Sequence, residues 1–357
     1  MAKLRTFARR IGFVALAVTA AVLTRKIPIE QPAWQDVPLP VLGSAPVMLR
    51  VAYIENPRFA SLDDDSIAAI LAATATLTRN HFHTDIRFSS ITRLSINDVF
   101  ATIPRSAREA AEEATYRPEH GIEGRYPLIE TTYNRLISDQ TDEQQAMAFA
   151  RPFLPAATPL TDMKSLAVAL VLHQLRGLQQ WRSFAAPDGK PYIDEATGFH
   201  QWSLWGAMGY GDLPWEVVIT NQLIASAEYN GNSIHTALRG GVVFGSTYYN
   251  HASPLQEYSM LSTFQYQEEF SRLMALPVLK REEQVQYAAA TLTHELGHLL
   301  FHFGHPYHNT ACIMHPVPGF NHREHFAALE PSRCEPGSEP EMQPGAATIQ
   351  FYSGWLP

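Results

Sequence analysis

The sequence predicts a mixed α/β protein, in the broad sense that includes α+β, with a twisted mixed sheet at its centre. Early in the chain, β-rich segments alternate with longer segments that carry apolar residues at helical spacing. Hydrophobic residues make up 46% of the 357 residues and charged residues 17%, which is typical of a globular protein with a sizeable core. This composition excludes a disordered or collagen-like chain.

The chain begins with the basic segment MAKLRTFARR, which is followed by the apolar run IGFVALAVTAAVL at 11–23. This pattern predicts a signal peptide over residues 1–27, with an uncleaved anchor as the alternative. The run is shorter than the roughly 20 apolar residues that a membrane-spanning helix needs. In both cases we expect export, to the periplasm or as a secreted protein, and residues 11–23 would attach an uncleaved chain to the membrane.

Three further regions follow. Residues 28–46 are rich in proline and lack periodicity, so they predict an extended linker. We expect the main domain at 47–330. Residues 331–357 are rich in Pro, Glu and Gly and are expected to form a C-terminal tail.

Each element of the domain has its own pattern. Segment 47–55, VMLRVAYIE, has strand composition, and 85–91, DIRFSSI, alternates as a strand does. Between them, 61–80 has Ser61 as an N-cap, acidic residues in its first turn and apolar residues at helical spacing. The predicted strands are 47–55, 85–91, 215–226 and 239–249, and the predicted helices are 61–80, 105–116, 141–150, 161–184, 255–275 and 281–303.

Charge and cysteine content limit the partners and the redox chemistry. The net charge of -8 and the pI near 6.0 argue against nucleic acid as a partner, because binding to phosphates needs a basic face. The two cysteines are Cys312 and Cys334. In an exported protein such a pair is more often a disulfide than two free thiols, which are the alternative.

The helix predicted at 281–303 contains an HExxH sequence, His294-Glu295-Leu296-Gly297-His298. Histidines at positions i and i+4 face the same side of a helix, so both imidazoles can bind one zinc ion. Glu295 follows the first of them and points partly toward the same cleft. It would not bind the metal, and would instead take a proton from the metal-bound water as a general base.

The third ligand must come from beyond the helix. His302 continues the stripe of histidines, but it lies about 12 Å along the axis from His294, too far to share one ion with it. Gly304 suits a C-cap and Pro306 blocks further helix, so the chain is expected to turn back at this point. His305 is the preferred third ligand, and His308 and Glu324 remain alternatives.

A tight turn with the sequence Cys312-Ile313-Met314-His315-Pro316 follows the histidines. With the HExxH helix, this turn resembles the metzincin superfamily of zinc peptidases, whose pattern is HExxHxxGxxH followed by a Met-turn. Within that superfamily the chain is similar to the archaemetzincin-like branch, which places a cysteine two residues before the methionine.

The resemblance implies a metzincin-like zincin fold, with an active-site helix and a small C-terminal subdomain after the Met-turn. It also implies that Met314 lies below the zinc and that 239–249 includes the edge strand that pairs with an extended substrate. The sequence departs from the family at two positions, because Phe301 and Gly304 stand where the family has its Gly and its third His. His305 fits the pattern only if the loop has gained one residue. The two cysteines are too few for the second, four-cysteine zinc of the branch, so a disulfide is the simpler expectation.

Together these patterns predict an exported peptidase with one catalytic Zn²⁺, held by His294, His298 and His305 and served by Glu295. Its substrate would be a peptide or protein. The alternative is a protein that binds peptides on a metallopeptidase fold without cleaving them.

Overall fold

The structure, a computed structural model, describes residues 33–34, 39, 42–138, 142–211, 213–229, 233–249, 257–347 and 350–351. They belong to a single structural unit that runs from Pro32 to Pro357. The signal peptide or anchor predicted at 1–27 and most of the linker predicted at 28–46 lie outside the described residues. Among the residues described, no helix combines the length and the apolar character needed to cross a membrane.

A five-stranded mixed sheet lies at the centre of the fold. Its strands are β2 (Val47–Glu55), β3 (Ile86–Ser95), β4 (Val217–Thr220), β5 (Gly245–Tyr248) and β6 (Tyr258–Ser262), and their order in the sheet is β3-β2-β4-β6-β5. Strands β3, β2, β4 and β6 run parallel to one another, and β5 pairs antiparallel with β6 at the sheet edge. Two short strands, β1 (Ala33–Trp34) and β7 (Gln350–Phe351), pair antiparallel with each other in a separate sheet.

Some helices of the described residues cover the two faces of this sheet, and others pack beside it. In chain order they are α1 (Asp64–Phe82), α2 (Ile96–Ala101), α3 (Arg105–Glu113), α4 (Arg125–Ser138), α5 (Glu143–Ala150), α6 (Met163–Ser183), α7 (Trp202–Gly206), α8 (Ile234–Leu238), α9 (Glu268–Leu273), α10 (Arg281–Phe301) and α11 (His322–Ala328).

Alternation along β2 shows how the layers are built. Val51 and Tyr53 point into a core that they share with α1 and α10. Their neighbours Ala52 and Ile54 point to the opposite face, into a core that they share with α2, α3 and α7. Because successive side chains of a strand point to opposite faces, one strand contributes to both cores. The predicted mixed α/β class is therefore confirmed.

A further group of helices packs beside these layers. Helices α4, α5, α6 and α8 share an apolar cluster of their own, and Tyr307 is packed against it. This cluster supports the segment that follows α10.

Most predicted elements are confirmed within a few residues, but the helix predicted at 255–275 is wrong. Its described part contains strand β6, a 3₁₀ turn at Phe264–Tyr266 and the six-residue helix α9. Every residue of β6 is buried, because it lies between β4 and β5 and is covered on both faces. Such a strand has no alternation, so its pattern is easily mistaken for a buried helix.

Two smaller corrections concern helices. Helix α1 begins at Asp64, and its N-cap is Asp63, whose carboxylate accepts a hydrogen bond of 2.7 Å from the Ser66 N–H. The predicted cap, Ser61, instead lies 3.4 Å from the Tyr53 hydroxyl. Helix α4 was not predicted, since its apolar residues are interrupted by polar ones at 130–132.

The described part of the predicted C-terminal tail is packed against the rest of the domain. Residues 331–347 contain two short 3₁₀ turns, and both Cys334 and Met342 are buried. They share a cluster with Phe303 and Met314, close to the end of α10.

Candidate metal centre

Helix α10, referred to below as the site helix, carries the HExxH sequence on its last two turns. It packs between α1 and the strands β5 and β6. Gly297 lies within this motif, and a β-carbon at that position would overlap Sδ of Met314. The glycine thus permits the Met-turn to approach the helix closely, and Met314 is completely buried there. Met314 therefore packs directly against the HExxH turn.

The imidazoles of His294, His298 and His305 converge on one point. Nε2 of His294 lies 3.2 Å from Nε2 of His298 and 3.1 Å from Nε2 of His305, and the third distance is 3.0 Å. Three ligands at 2.0–2.1 Å around a tetrahedral zinc ion would be about 3.3 Å apart. The spacing therefore fits a single zinc ion, and these three residues form a group that could hold a metal.

Two of the rings are oriented by backbone carbonyls. Nδ1 of His294 lies 2.9 Å from the carbonyl oxygen of Ile313, and Nδ1 of His298 lies 2.6 Å from that of Phe303. A carbonyl only accepts, so each Nδ1 carries the proton and each Nε2 presents a lone pair to the centre. Lone pairs that face each other at about 3 Å repel unless a cation lies between them.

Burial keeps these rings neutral, which a metal ligand requires. It lowers the pKa of His298 to about 4, and it lowers the pKa of His294 and His305 well below the usual value. The neighbouring histidines add to this effect, because a second positive charge in the cluster would be repelled. Protons therefore compete poorly with a metal ion for these three nitrogen atoms.

The turn after the helix explains how His305 reaches the site. The site helix ends at Phe301, and His302 takes the left-handed conformation with φ of 54°. The sequence predicted this cap at Gly304, which is wrong by two residues. Histidine is one of the non-glycine residues that tolerate this conformation. Because the chain reverses two residues earlier than predicted, the Phe303 carbonyl returns to His298 and His305 faces the helix. The loop can therefore contain one residue more than the family pattern and still bring His305 to the centre.

The alternative ligands lie elsewhere. The His302 ring packs edge-on against Tyr249, with the ring centroids 5.1 Å apart. Nε2 of His308 lies 2.8 Å from the Glu339 carboxylate. Glu324 is exposed on α11. None of the three belongs to the group of converging nitrogen atoms.

Glu295 is buried against the edge strand β5. Its Oε2 lies 3.0 Å from Oγ1 of Thr247, and its carbonyl oxygen lies 2.9 Å from the same hydroxyl. Burial raises the pKa of Glu295 to about 8, although the Thr247 hydrogen bond and the charge of Arg239 oppose the shift. A carboxylate with such a pKa can both take up and release a proton near neutral pH.

The predicted disulfide is confirmed, because Cys312 and Cys334 are bonded to each other. Three further histidines in this part of the chain, His315, His322 and His325, are buried, at 2, 6 and 7% exposure. The His315 ring stacks on His325 and meets Phe149 edge-on.

Sequence patterns missed several residues that contact the centre. The His235 ring lies edge-on to His305 with the centroids 5.0 Å apart, and the Tyr249 hydroxyl donates to the His298 carbonyl oxygen at 2.7 Å. Thr247 contacts Glu295 as described above. Thr247 and Tyr249 lie in the predicted strand 239–249, which the resemblance places beside the substrate, but no pattern singled out these two residues. No sequence pattern pointed to His235.

The arrangement can hold one metal ion through three neutral nitrogen donors and leave a fourth position for water, with a carboxylate beside it. Comparison of the chain with known protein families, with curated proteins and with solved structures returned no match. The geometry of the centre is therefore what supports a function for this chain.

Proposed function

We propose that this protein is a zinc-dependent peptidase of the metzincin type, similar to the archaemetzincin-like branch. The convergence of His294, His298 and His305 Nε2 atoms within 3.2 Å of one another carries the proposal. Three neutral imidazoles, two of them oriented through Nδ1, are a donor set that zinc prefers. The buried methionine turn below the HExxH helix further supports the metzincin-like fold.

Bound zinc would polarise the peptide carbonyl and lower the pKa of its water ligand. The chain supplies the proton transfers. Glu295 takes the proton from the attacking water and then delivers it to the nitrogen of the leaving amine. Thr247 fixes the carboxylate through the contact of 3.0 Å.

Strand β5 is suited to hold the substrate. It lies at the edge of the sheet and is paired on one side only, with β6, among the described residues. An extended peptide can add to such an edge through backbone hydrogen bonds. The same strand contributes Gly245 and Thr247, which contact Glu295, so a peptide along β5 would pass beside the general base.

Export to the periplasm or the cell exterior is part of the proposal. It is supported by the basic and apolar segments at 1–10 and 11–23. The Cys312–Cys334 disulfide is consistent with an oxidising compartment.

The test is to measure bound zinc and peptide hydrolysis for the purified full chain beside Glu295→Gln. We expect one zinc per chain in both proteins, and hydrolysis at least about 100-fold slower in the variant. A chain that binds no zinc, or a variant with full activity, contradicts the proposal. Zinc and peptide binding without any cleavage would instead favour the peptide-binding alternative.

A further inference from the structure

The loop that carries the third histidine has no helix or strand of its own. Residues 302–315, called the ligand loop below, run from the end of the site helix through the Met-turn. A segment without regular hydrogen bonding keeps its conformation only through contacts with other parts of the chain. Much of this contact comes from residues 330–347, called the C-terminal clamp below.

Backbone hydrogen bonds join the clamp to the start of the ligand loop. The Gly304 N–H donates to the Glu341 carbonyl oxygen at 2.8 Å, and the Ala347 N–H donates to that of His302 at 2.6 Å. These two bonds enclose the turn immediately before His305. The position of His305 relative to the helix therefore depends on the clamp.

Side chains join the clamp to the residues that follow His305. The Glu339 carboxylate accepts from Nδ2 of Asn309 at 2.6 Å and lies 2.8 Å from Nε2 of His308. Nδ2 of Asn309 also donates to the carbonyl oxygen of Arg333 at 2.9 Å. The loop is thus held on both sides of His305.

The disulfide extends the connection to a second metal-site histidine. Cys334 is bonded to Cys312, and its Sγ accepts a hydrogen bond of 3.0 Å from the Ile313 N–H. The carbonyl oxygen of the same Ile313 orients His294 through its Nδ1 at 2.9 Å. Met342 packs against the disulfide in a cluster that is fully buried. Ile313 therefore connects the clamp to His294 through its own backbone N–H and carbonyl groups.

We infer that the C-terminal clamp is a positioning element for the metal centre and that the Cys312–Cys334 disulfide makes its hold strong enough for tight zinc binding. His305 is positioned through Gly304, and His294 through Ile313. Without the disulfide, the ligand loop would have to be ordered at the moment of metal binding, which lowers affinity. This inference rests on the proposed function in one respect, namely that the three histidines bind zinc.

The test compares zinc affinity of the full chain with that of Cys312→Ser/Cys334→Ser, by competition against a chromophoric chelator. Loss of groups that orient metal ligands typically weakens affinity 10- to 100-fold. We expect a loss of about that size for the double variant, and a smaller one for Glu339→Gln. The serine variants leave no thiol that could itself bind the metal.

A matched control separates positioning from loss of stability. Leu178 is buried in a different apolar cluster, beside Trp181, and Leu178→Ala should destabilise the fold about as much as loss of a disulfide does. We expect this control to keep wild-type zinc affinity. The visible spectrum of bound Co²⁺ gives a second readout, because it reports coordination geometry. The spectrum should change in the disulfide variant and stay unchanged in the control.

Wild-type zinc affinity and an unchanged cobalt spectrum in the disulfide variant would overturn the inference. If that variant does not fold, Glu339→Gln and Asn309→Ala carry the same comparison, with the same contradicting result. If the wild-type chain binds no zinc, the proposed function fails, and the clamp is judged by hydrogen exchange at Gly304. Equal protection of this amide with and without the disulfide would then contradict the clamp.

Discussion

Gly245 and Glu295 are so close that a β-carbon on residue 245 would stand 2.6 Å from Cγ and 2.7 Å from Oε1 of the glutamate. Real β-carbons do not approach other atoms this closely, so a side chain at 245 must displace the carboxylate. The side chain of the proposed general base therefore fits against the edge strand only because residue 245 is glycine.

Gly245→Ala should therefore slow hydrolysis without removing the metal. A displacement of about 1 Å in a catalytic group can reduce the rate about 100-fold, and we expect a fall in kcat of that order. Steady-state kinetics and zinc content measure the two effects. The matched control is Ser246→Ala, on the same strand, because Oγ of Ser246 accepts a hydrogen bond from the Trp202 indole N–H and its side chain points to the opposite face of the strand. Equal activity loss in both variants would argue against displacement of Glu295.

His305 and His302 should differ sharply when each is replaced. His305→Ala removes one of three converging nitrogen atoms, and we expect zinc affinity to fall at least about 100-fold, the upper range for merely indirect partners. His302→Gly leaves the three nitrogen atoms in place, and glycine suits the left-handed conformation at this position. This variant should keep one zinc per chain. Metal loss in His302→Gly with retention in His305→Ala would reverse the assignment.

Thr247→Val should impair the reaction but not metal binding. Valine has nearly the same shape, and it cannot hydrogen-bond to the Glu295 carboxylate. A hydrogen bond to a charged group contributes about 1.5–3 kcal/mol, so we expect kcat to fall roughly 10- to 100-fold. Thr247→Ser keeps the hydroxyl and should restore most of the activity. The idea fails if serine and valine behave alike in kinetics while both retain zinc.

Glu228, far along the chain from the HExxH motif, should give the stability of the fold a pH dependence. Burial raises the pKa of Glu228 to about 7 from an ordinary value of 4.5, against the opposing effect of hydrogen bonds from Ser226, Thr115 and Ser203. Between these two pH values the folded chain holds a proton that the unfolded chain releases. The contribution of this group to the free energy of unfolding should therefore fall by about 3 kcal/mol as the pH rises from about 4.5 to 7. Above that pH it should level off.

Glu228→Gln tests this expectation, since the amide oxygen can still accept from Ser226 and Ser203, the amide nitrogen can donate to the Thr115 hydroxyl, and the amide does not titrate. Urea unfolding at several pH values should show that the difference in unfolding free energy between variant and wild type grows from pH 4.5 to 7. A difference that does not change over this interval would show that Glu228 does not titrate there.

The parts of the centre that depend on local spacing could be predicted from sequence. His294 and His298 follow from helical geometry, and His305 follows from the need for the chain to return. The cap at His302 could not be predicted, because glycine and proline stood nearby as stronger turn residues. His235 and Thr247 lie 70 and 48 residues before His305 and Glu295, the residues that they contact, so these contacts depend on the order of elements in the fold. Local patterns do not contain that order.

The same limit explains the missed strand. Strand β6 is buried on both faces, so its residues lack the alternation that identifies a half-exposed strand. Strand β2, whose two faces meet different cores, was predicted with its observed bounds. Its β-rich composition was sufficient because short turn-forming segments flank it on both sides.

The sheet order also has a consequence for the sequence of folding events. Strands β2 and β3 are joined by one helix and can pair early, but β2 and β4 are neighbours across a long excursion. The Arg50 and Glu216 side chains, which bridge these strands, are 166 residues apart. Pairing over such a separation requires closure of a long loop and is slow compared with local contacts. Since β6, β5 and the site helix follow β4 in the chain, we expect the metal centre to be completed late, after the helices within the excursion have packed.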